Sequence, residues 1–404
     1  MNQPKVIVIG GGASGIIAAI AAKQNNAIVT ILERNARIGK KILATGNGRC
    51  NYTNALASEL DYNHPLFVKS VFHTFNVEQT ISFFESLGIS PIIEDLGKTF
   101  PMSEQASSIL DVLLYELEHL GVEIVTEVLV QSVDKNNQKF TVILSDKREY
   151  IADKVIISTG GKAMPGSGSD GIGYNIAKSF GHHLVPVFPA LVKLKLDCPY
   201  LKQLDGVKIQ SYVELISKSK VLKEEFGDIL FTSYGISGPT ILQLSRKANE
   251  LLLNQEEVFL NVKLVHALSK EDVIKRFENA REKPVDFSLI GLINKRLISA
   301  VLKEAKIAKQ NTLVKDLSQV QLDTIISLLF SWQFKVSGSK GFEDAQVTAG
   351  GIDISEINEL TMESKIEKGL FFSGEVIDID GLCGGYNLQW AWSSGYVAGL
   401  NASK

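Results

Sequence analysis

The sequence predicts an α/β chain in which both ends build one domain around a parallel sheet, with strands and then helices inserted between them. Three observations carry this. The chain opens with a strand, a glycine turn, a helix and a second strand in quick succession; it closes with a helix lined by small side chains; and its character changes at Leu191 to short strands, then to helical spacing.

The opening stretch comes first. Val6-Ile7-Val8-Ile9 is followed by Gly10-Gly11-Gly12-Ala13-Ser14-Gly15, a small-residue helix, and Ile28-Val29-Thr30-Ile31-Leu32 ending at Glu33. This is the Rossmann dinucleotide fingerprint, with an acid about 20 residues after the glycines. Gly10 permits the tight turn, Gly12 lets backbone approach a pyrophosphate, and Gly15 with Ala19 lets the helix lie on the sheet. The helix N-terminus offers free N–H groups and a positive dipole end to the phosphates. Glu33 can accept from adenosine ribose hydroxyls. At this point NAD and FAD both remain open.

Composition bounds the rest. A chain of 404 residues has room for two or three domains, and 45% hydrophobic with 22% charged residues is a globular composition. A net charge of -3 gives no electrostatic case for nucleic acid or an anionic membrane as a partner. Cys50, Cys198 and Cys383 cannot make a disulfide framework and no C-x-x-C occurs, so free thiols in a cytoplasmic protein are expected. No apolar run reaches membrane-spanning length.

Arg37 to Lys41 and then Thr45 to Asn54 form a loop dense in Gly, Asn and Thr behind three basic residues. It suits presenting backbone and amide donors to a ligand, the plain alternative being a long surface loop. Residues 65–120 show helical spacing, with a short strand or hairpin from Ile92 to Pro101. Strands are expected over Glu123–Val133, Lys139–Leu144 and Arg148–Ile151. Lys154 to Ser158 is an apolar strand that stops on Thr159-Gly160-Gly161.

Gly166-Ser167-Gly168-Ser169-Asp170-Gly171 repeats the glycine spacing, but Met164-Pro165 precedes it in place of a strand and no acid closes the run after the helix at Ile172–Phe180. A loop lining the first nucleotide site is expected there, not a second Rossmann unit. His182-His183 lacks a ligand at metal spacing and reads as a helix-end feature, so no metal site is expected.

Leu191–Leu196, Gly206–Ile216, Asp228–Thr232 and Val258–Val265 read as strands of a small barrel or sandwich. A helix at Thr240–Leu252 lies among them; helical period dominates from Ser269 to Trp332, and Phe334-Lys335-Val336 is extended again. Residues 191–344 hold 23 Lys and Arg against 19 Asp and Glu, a surplus small enough for an ordinary solvated surface. In the final helix, from Tyr386 to Leu400, Ala391, Ser394, Gly395, Ala398 and Gly399 allow close packing against Gly15-Ala18-Ala19-Ala22.

Together the motifs Gly10-x-Gly12-x-x-Gly15 with Glu33, Thr45-Gly-Asn-Gly-Arg-Cys-Asn51, Ser158-Thr-Gly-Gly161, Thr348-Ala-Gly-Gly351, Gly374-Glu375-x-x-Asp378 and Gly384-Gly-Tyr-Asn387 resemble the BaiN-like bacterial flavoproteins. These are also called NAD(FAD)-utilising dehydrogenases or aminoacetone oxidase-like FAD enzymes. The resemblance implies a glutathione-reductase-type FAD-binding Rossmann domain over residues 1–190 and 345–404. It also implies a translation-factor-like β-barrel over 191–268 and 333–344 and a helical subdomain over 269–332.

The cofactor contacts it implies are Gly10, Gly12, Ala13, Ser14 and Gly15 at the pyrophosphate; Glu33 and Arg34 at the adenosine; and Val130, mid-strand, at the adenine. Glu375 would lie beside the ribityl chain and pyrophosphate, and Lys40, Lys41, Gly48, Arg49, Cys50, Thr159, Gly160, Gly161 and Gly374 would be further cofactor contacts. Asn51, Gly385, Asn387 and Leu388 lie toward the flavin ring. A helix N-terminus at Asn387 would favour anionic reduced flavin. Arg49, Cys50 and Tyr386 are candidates for contacting the substrate, without an assigned acid or base, and a buried structural role for Cys50 is an equal alternative.

The activity implied is hydride transfer between a small organic substrate and flavin N5, with O2 or NAD(P)H as the other partner. Without C-x-x-C, disulfide reductase chemistry is excluded; without a second Rossmann unit, NADH or NADPH would dock directly over the flavin. Amine oxidation and enone reduction both remain open. A flavoprotein linked to RNA binding or modification and a redox-inactive FAD-binding protein are the alternatives. No motif specifies an oligomeric state.

Overall fold

The computed structural model describes residues 3–404; the first two residues of the expected N-terminal domain lie outside these. The chain begins with β1 (Lys5–Ile9), α1 (Ala13–Gln24) and β2 (Ile28–Leu32). The apolar run of β1 is buried from Val6 to Ile9, as a strand covered on both faces requires. α1 is buried from Ser14 to Ala22, with small residues at Ser14 and Ala18 where the last helix packs and Ile16, Ile17 and Ile20 in the core.

Next come β3 (Thr53–Asn54), α2 (Pro65–Thr74), α3 (Val77–Ser86), β4 (Pro91–Ile93), β5 (Lys98–Pro101) and α4 (Ala106–His119). Asn76 and Gln79 form a capping box that starts α3. β6 (Glu123–Val125), β7 (Val130–Asn136), β8 (Lys139–Leu144), β9 (Glu149–Ala152), β10 (Lys154–Ile157), α5 (Ile172–Ser179) and β11 (Leu184–Ala190) follow. The single strand expected over Glu123–Val133 is two. Glu127 takes a left-handed φ of 58°, which ends pairing with the parallel sheet, and the chain restarts in a separate antiparallel sheet. Val130 therefore opens its strand, next to a register shift, instead of sitting in the middle of it.

The middle of the chain carries β12 (Leu194–Asp197), α6 (Leu201–Leu204), β13 (Lys208–Ser217), β14 (Lys220–Thr232), β15 (Gly235–Ser237), α7 (Pro239–Leu253) and β16 (Phe259–Lys263). α8 (Lys270–Glu278), α9 (Val285–Leu289), α10 (Lys295–Glu304), α11 (Gln319–Phe330) and β17 (Trp332–Ser339) complete it. Its strands close a barrel in the order β12-β15-β14-β13-β16-β17. Barrel residues such as Val213 and Phe231 and helix residues such as Val273 and Leu297 share one buried core. The expected strand at Asp228–Thr232 begins eight residues earlier, at Lys220. The extra length is a hairpin arm paired with β13 that exposes Lys and Glu, a composition that does not read as a strand. The run expected from Leu191 starts at Leu194 because Leu191 has a left-handed φ of 48°.

The chain ends with β18 (Val347–Ile352), β19 (Leu370–Phe372) and α12 (Tyr386–Ala402). Two compact units result: one runs to Pro189 and resumes at Gln346, and the other is Ala190–Ala345. In the first, the parallel sheet has the order β19-β10-β1-β2-β6. α1 and α12 pack backbone to backbone, since a Cβ on Gly395 would overlap the Ser14 carbonyl oxygen and one on Gly399 that of Ala18. Among the described residues no helix is long and apolar enough to cross a membrane.

Candidate active site

β1 pairs with β2 on one side and β10 on the other, so the chain order reverses beside β1. Ligands of such sheets bind outside the carboxyl ends of the strands at that point. The loops there are Gly10–Gly12 and Thr159–Gly161. Gly10 has φ 100°, and a Cβ on it would lie 2.6 Å from the Ser158 carbonyl oxygen, so the two loops touch through backbone. Gly12 is the extended N-cap of α1, and no atom lies within 4 Å of where its Cβ would be. That open space faces a helix end whose first N–H groups have no intrahelical partner, a cradle suited to a pyrophosphate.

Glu33, buried at the end of β2, holds the turn together. Its carboxylate accepts from Gly11 N at 2.9 Å, Asn35 N at 2.8 Å and Asn35 Nδ2 at 2.6 Å. Oε1 takes both Asn35 donors and Oε2 only Gly11 N, so Oε2 retains a lone pair that could meet a ribose hydroxyl. The 165–171 loop closes on this strand end. Asn35 Nδ2 donates to Ser167 O at 3.0 Å, Lys40 Nζ donates to Gly166 O at 2.7 Å, and Arg34 pairs with Asp170. The second glycine stretch thus lines the first site.

Four segments converge further along. Glu375, in the turn Gly374–Val376, accepts from Lys41 Nζ at 2.6 Å and from Thr348 N at 2.9 Å. A Cβ on Gly161 would come within 2.9 Å of Glu375 Oε1, and Thr348 Oγ1 accepts from Lys162 N and Ala163 N. Tyr174 is buried nearby with no partner on its hydroxyl among the described residues; burial, then Glu375 and Asp378, raise its pKa. Trp390 Nε1 donates to Gly374 O and Ser394 Oγ accepts from Gly374 N, which fixes that turn on α12; Ser14 is buried there as well.

At the far end, Gly385 caps α12 with φ 100°, where a Cβ would overlap Thr53 O. Asn387 spends its side chain on the preceding turn: Oδ1 accepts from Gly381 N, and Nδ2 donates to Gly381 O and Leu382 O. What α12 offers a ligand is thus the backbone of its first turn, with half-buried Leu388 beside it. Asn51 Oδ1 accepts from Thr99 N, and Asn54 Nδ2 donates to Leu96 O and Gly384 O, each at 3.0 Å, tying β3 and β5 to that helix start. Gly48 has open space where a Cβ would be.

Among the three substrate-contact candidates, Arg49 is ion-paired to Glu94 at 2.5 Å and Glu104 at 3.1 Å and lies over the Phe100 ring at 4.1 Å. Cys50 is fully buried with a left-handed φ of 59°, and burial pushes its thiol up to about 12. A thiol so hard to ionise suits the structural reading. Tyr386 packs edge-on against Tyr62, whose hydroxyl donates to Tyr386 O at 2.8 Å, and burial raises the Tyr386 pKa. Glu94, Glu104 and Lys98 join this end of the site unannounced by any sequence motif.

The His182-His183 pair does meet a carboxylate, though one 173 residues away or more: Glu356 takes His182 Nδ1 at 3.1 Å and His183 Nδ1 at 2.5 Å. Ser364 Oγ accepts from Ile366 N and Glu367 N, so its proton goes to His182 Nε2 and the Nδ1 proton of His182 to Glu356. Burial, opposed by Glu356, lowers the His182 pKa. Among the described residues no group of three or more His, Cys, Asp or Glu is placed to hold a metal.

Comparison with known proteins places this architecture. Residues 4–401 match the family model described as the HI0933-like protein Rossmann domain. The chain is 39% identical over 99% of both chains to a Clostridium scindens protein named 3-dehydro-bile acid delta(4,6)-reductase. It is 31% identical over 98% of both chains to a Haemophilus influenzae protein named ribosomal RNA dihydrouridine synthase. The solved structure of Rhodococcus jostii 3-ketosteroid-delta4-(5alpha)-dehydrogenase with 4-androstene-3,17-dione shares the fold at a TM-score of 0.51 and 15% identity, covering 99% of this chain and 97% of that one.

Proposed function

The chain belongs to the HI0933-like family of Rossmann-domain proteins and is an FAD-dependent oxidoreductase; within that class we propose that it reduces a carbon–carbon double bond conjugated to a carbonyl, with NADH or NADPH as the electron source. The observation that carries this reading is the 39% identity over nearly the full length to a protein named for reducing such a bond in a 3-dehydro-bile acid. The second relative's name fits the same chemistry, because the uracil double bond removed in making dihydrouridine is also conjugated to a carbonyl.

The residues present suit FAD. Gly12, Ala13, Ser14 and Gly15 would hold the pyrophosphate, Glu33 the adenosine ribose, and Glu375 with Lys41 the ribityl side. The first turn of α12 at Asn387 and Leu388 would face the flavin pyrimidine edge. FAD supplies the two-electron chemistry when bound. The protein's part would be to present the first turn of α12, with its dipole, to the flavin pyrimidine edge, that turn being held by the braced segment at 381–385.

Anaerobic mixing of the FAD-loaded protein with NADH or NADPH should bleach the flavin band, and 2-cyclohexenone should restore it. Failure of both nucleotides to bleach the flavin would remove the NAD(P)H-dependent version. Uracil in RNA is the second reading, favoured by the ribosomal RNA relative. It predicts RNA binding that weakens steeply with salt, and a flat gel-shift titration at low salt would discard it.

A further inference from the structure

We propose that Lys98 is the cation that holds the carbonyl oxygen of the substrate; this rests on the conjugated-double-bond reading above. Lys98 opens β5 and is the register partner of Asn54. Its side chain reaches the start of the last helix, since a Cβ on Gly384 would lie 3.8 Å from both Lys98 Cε and Asn54 Nδ2. Its charge is felt by Cys383 in the same turn.

Two cations approach this end of the site, and they differ in one respect. Arg49 takes both nearby carboxylates, Glu94 and Glu104. Lys98, half-buried, is left without an ion pair among the described residues. Glu94 lies within its field but is already bonded to Arg49, so the ammonium has room for a ligand that supplies negative charge. A carbonyl that becomes an enolate supplies it only during reaction, when stabilisation accelerates the chemistry most.

The step balances as follows. The β-carbon receives a hydride whose two electrons come from reduced flavin, the double bond's electrons move onto the carbonyl oxygen as an enolate, and Lys98 donates a hydrogen bond to that oxygen. The α-carbon then takes a proton from solvent and the carbonyl re-forms, leaving the substrate reduced by two electrons and two protons' worth of hydrogen.

The test uses full-length FAD-loaded protein, photoreduced without oxygen and mixed with 2-cyclohexenone or, separately, with ferricyanide, which needs no carbonyl activation. Lys98→Met should slow reoxidation by 2-cyclohexenone about 100-fold and leave ferricyanide reoxidation unchanged. Lys98→Arg should recover most of the rate. Titrating the oxidised proteins with 4-chlorophenol, whose phenolate gives a long-wavelength charge-transfer band over flavin, should show at least tenfold weaker binding in Lys98→Met. Equal reoxidation by 2-cyclohexenone in wild type and Lys98→Met would overturn the proposal, as would loss of FAD from Lys98→Met, which would make Lys98 a cofactor ligand. A wild type inert to 2-cyclohexenone yet reoxidised by ferricyanide would instead overturn the conjugated-double-bond reading, and the role of Lys98 with it.

Discussion

Gly10–Gly15 and Gly166–Gly171 share one spacing of glycines and have opposite surroundings. The first follows a buried strand, and its glycines face backbone: Gly10 meets the Ser158 carbonyl and Gly15 the carbonyl of Gly10 itself. The second follows Met164 in a left-handed conformation and a short turn at Pro165–Ser167, and its glycines face side chains or nothing. Gly168 abuts Asn35 Nδ2, Gly171 the flexible end of Lys162, and Gly166 open space. The strand after the second stretch, β11, pairs with β18 in a two-stranded sheet outside the parallel one. The glycines that define the fold are those whose neighbours are carbonyls, which cannot move aside; in the second stretch Gly166 alone has open space and no left-handed φ, while Gly168 at 105° and Gly171 at 85° need glycine for their backbone conformation.

One substitution in each stretch puts that distinction at risk. Gly15→Val should be the most damaging, costing about 3 kcal/mol or more through overlap with fixed backbone, read as loss of soluble, FAD-containing protein. Gly166→Ala should stay within about 0.5 kcal/mol in urea melts, and a loss comparable to that of Gly15→Val would erase the contrast. Glu33→Ala strands the N–H groups of Gly11 and Asn35, so FAD should bind about 10- to 100-fold more weakly. Isothermal titration of the apoprotein would measure this.

Cys50 probes how tightly the loop after the first stretch is closed. Its folded thiol ionises near 12 against 9.0 unfolded. Its contribution is therefore complete below about pH 9 and declines as pH rises toward 12, so the urea midpoint should fall over that window, less so in Cys50→Ser. Asp170→Asn should also matter little, at under about 1 kcal/mol, because its pair with Arg34 is more than a third exposed on both sides. A large loss of FAD affinity in that variant would show that the second glycine stretch does more than line the site.

Local patterns made half of this molecule legible. The apolar run of β1, the glycines of the turn and the small residues of α1 and α12 each state a physical need within a few residues. Pairings between distant parts of the chain do not. Arg49 could not be known to spend its charge on Glu94 and Glu104, nor His182 and His183 to share Glu356, because those carboxylates lie on segments that only folding brings near. Asn387 was visible as a motif residue, but its side chain serves the turn at Gly381 and Leu382, and only its backbone remains for a ligand. The outward arm of β14 was hidden for another reason. Its Lys-Val-Leu-Lys-Glu-Glu composition signals solvent, and its strand character comes from the positions from Lys220 to Gly227 that pair with β13.

The contact of Gly395 and Gly399 with the backbone of α1 also sets an order on synthesis. α1 emerges from a ribosome hundreds of residues before its partner helix, so its apolar surface must wait until nearly the whole chain has been made. The Ala190–Ala345 unit is contiguous and can close its own core in the meantime. Nascent chains arrested just short of α12 should therefore carry a folded central unit between two unfinished halves, and would be the form most dependent on chaperones.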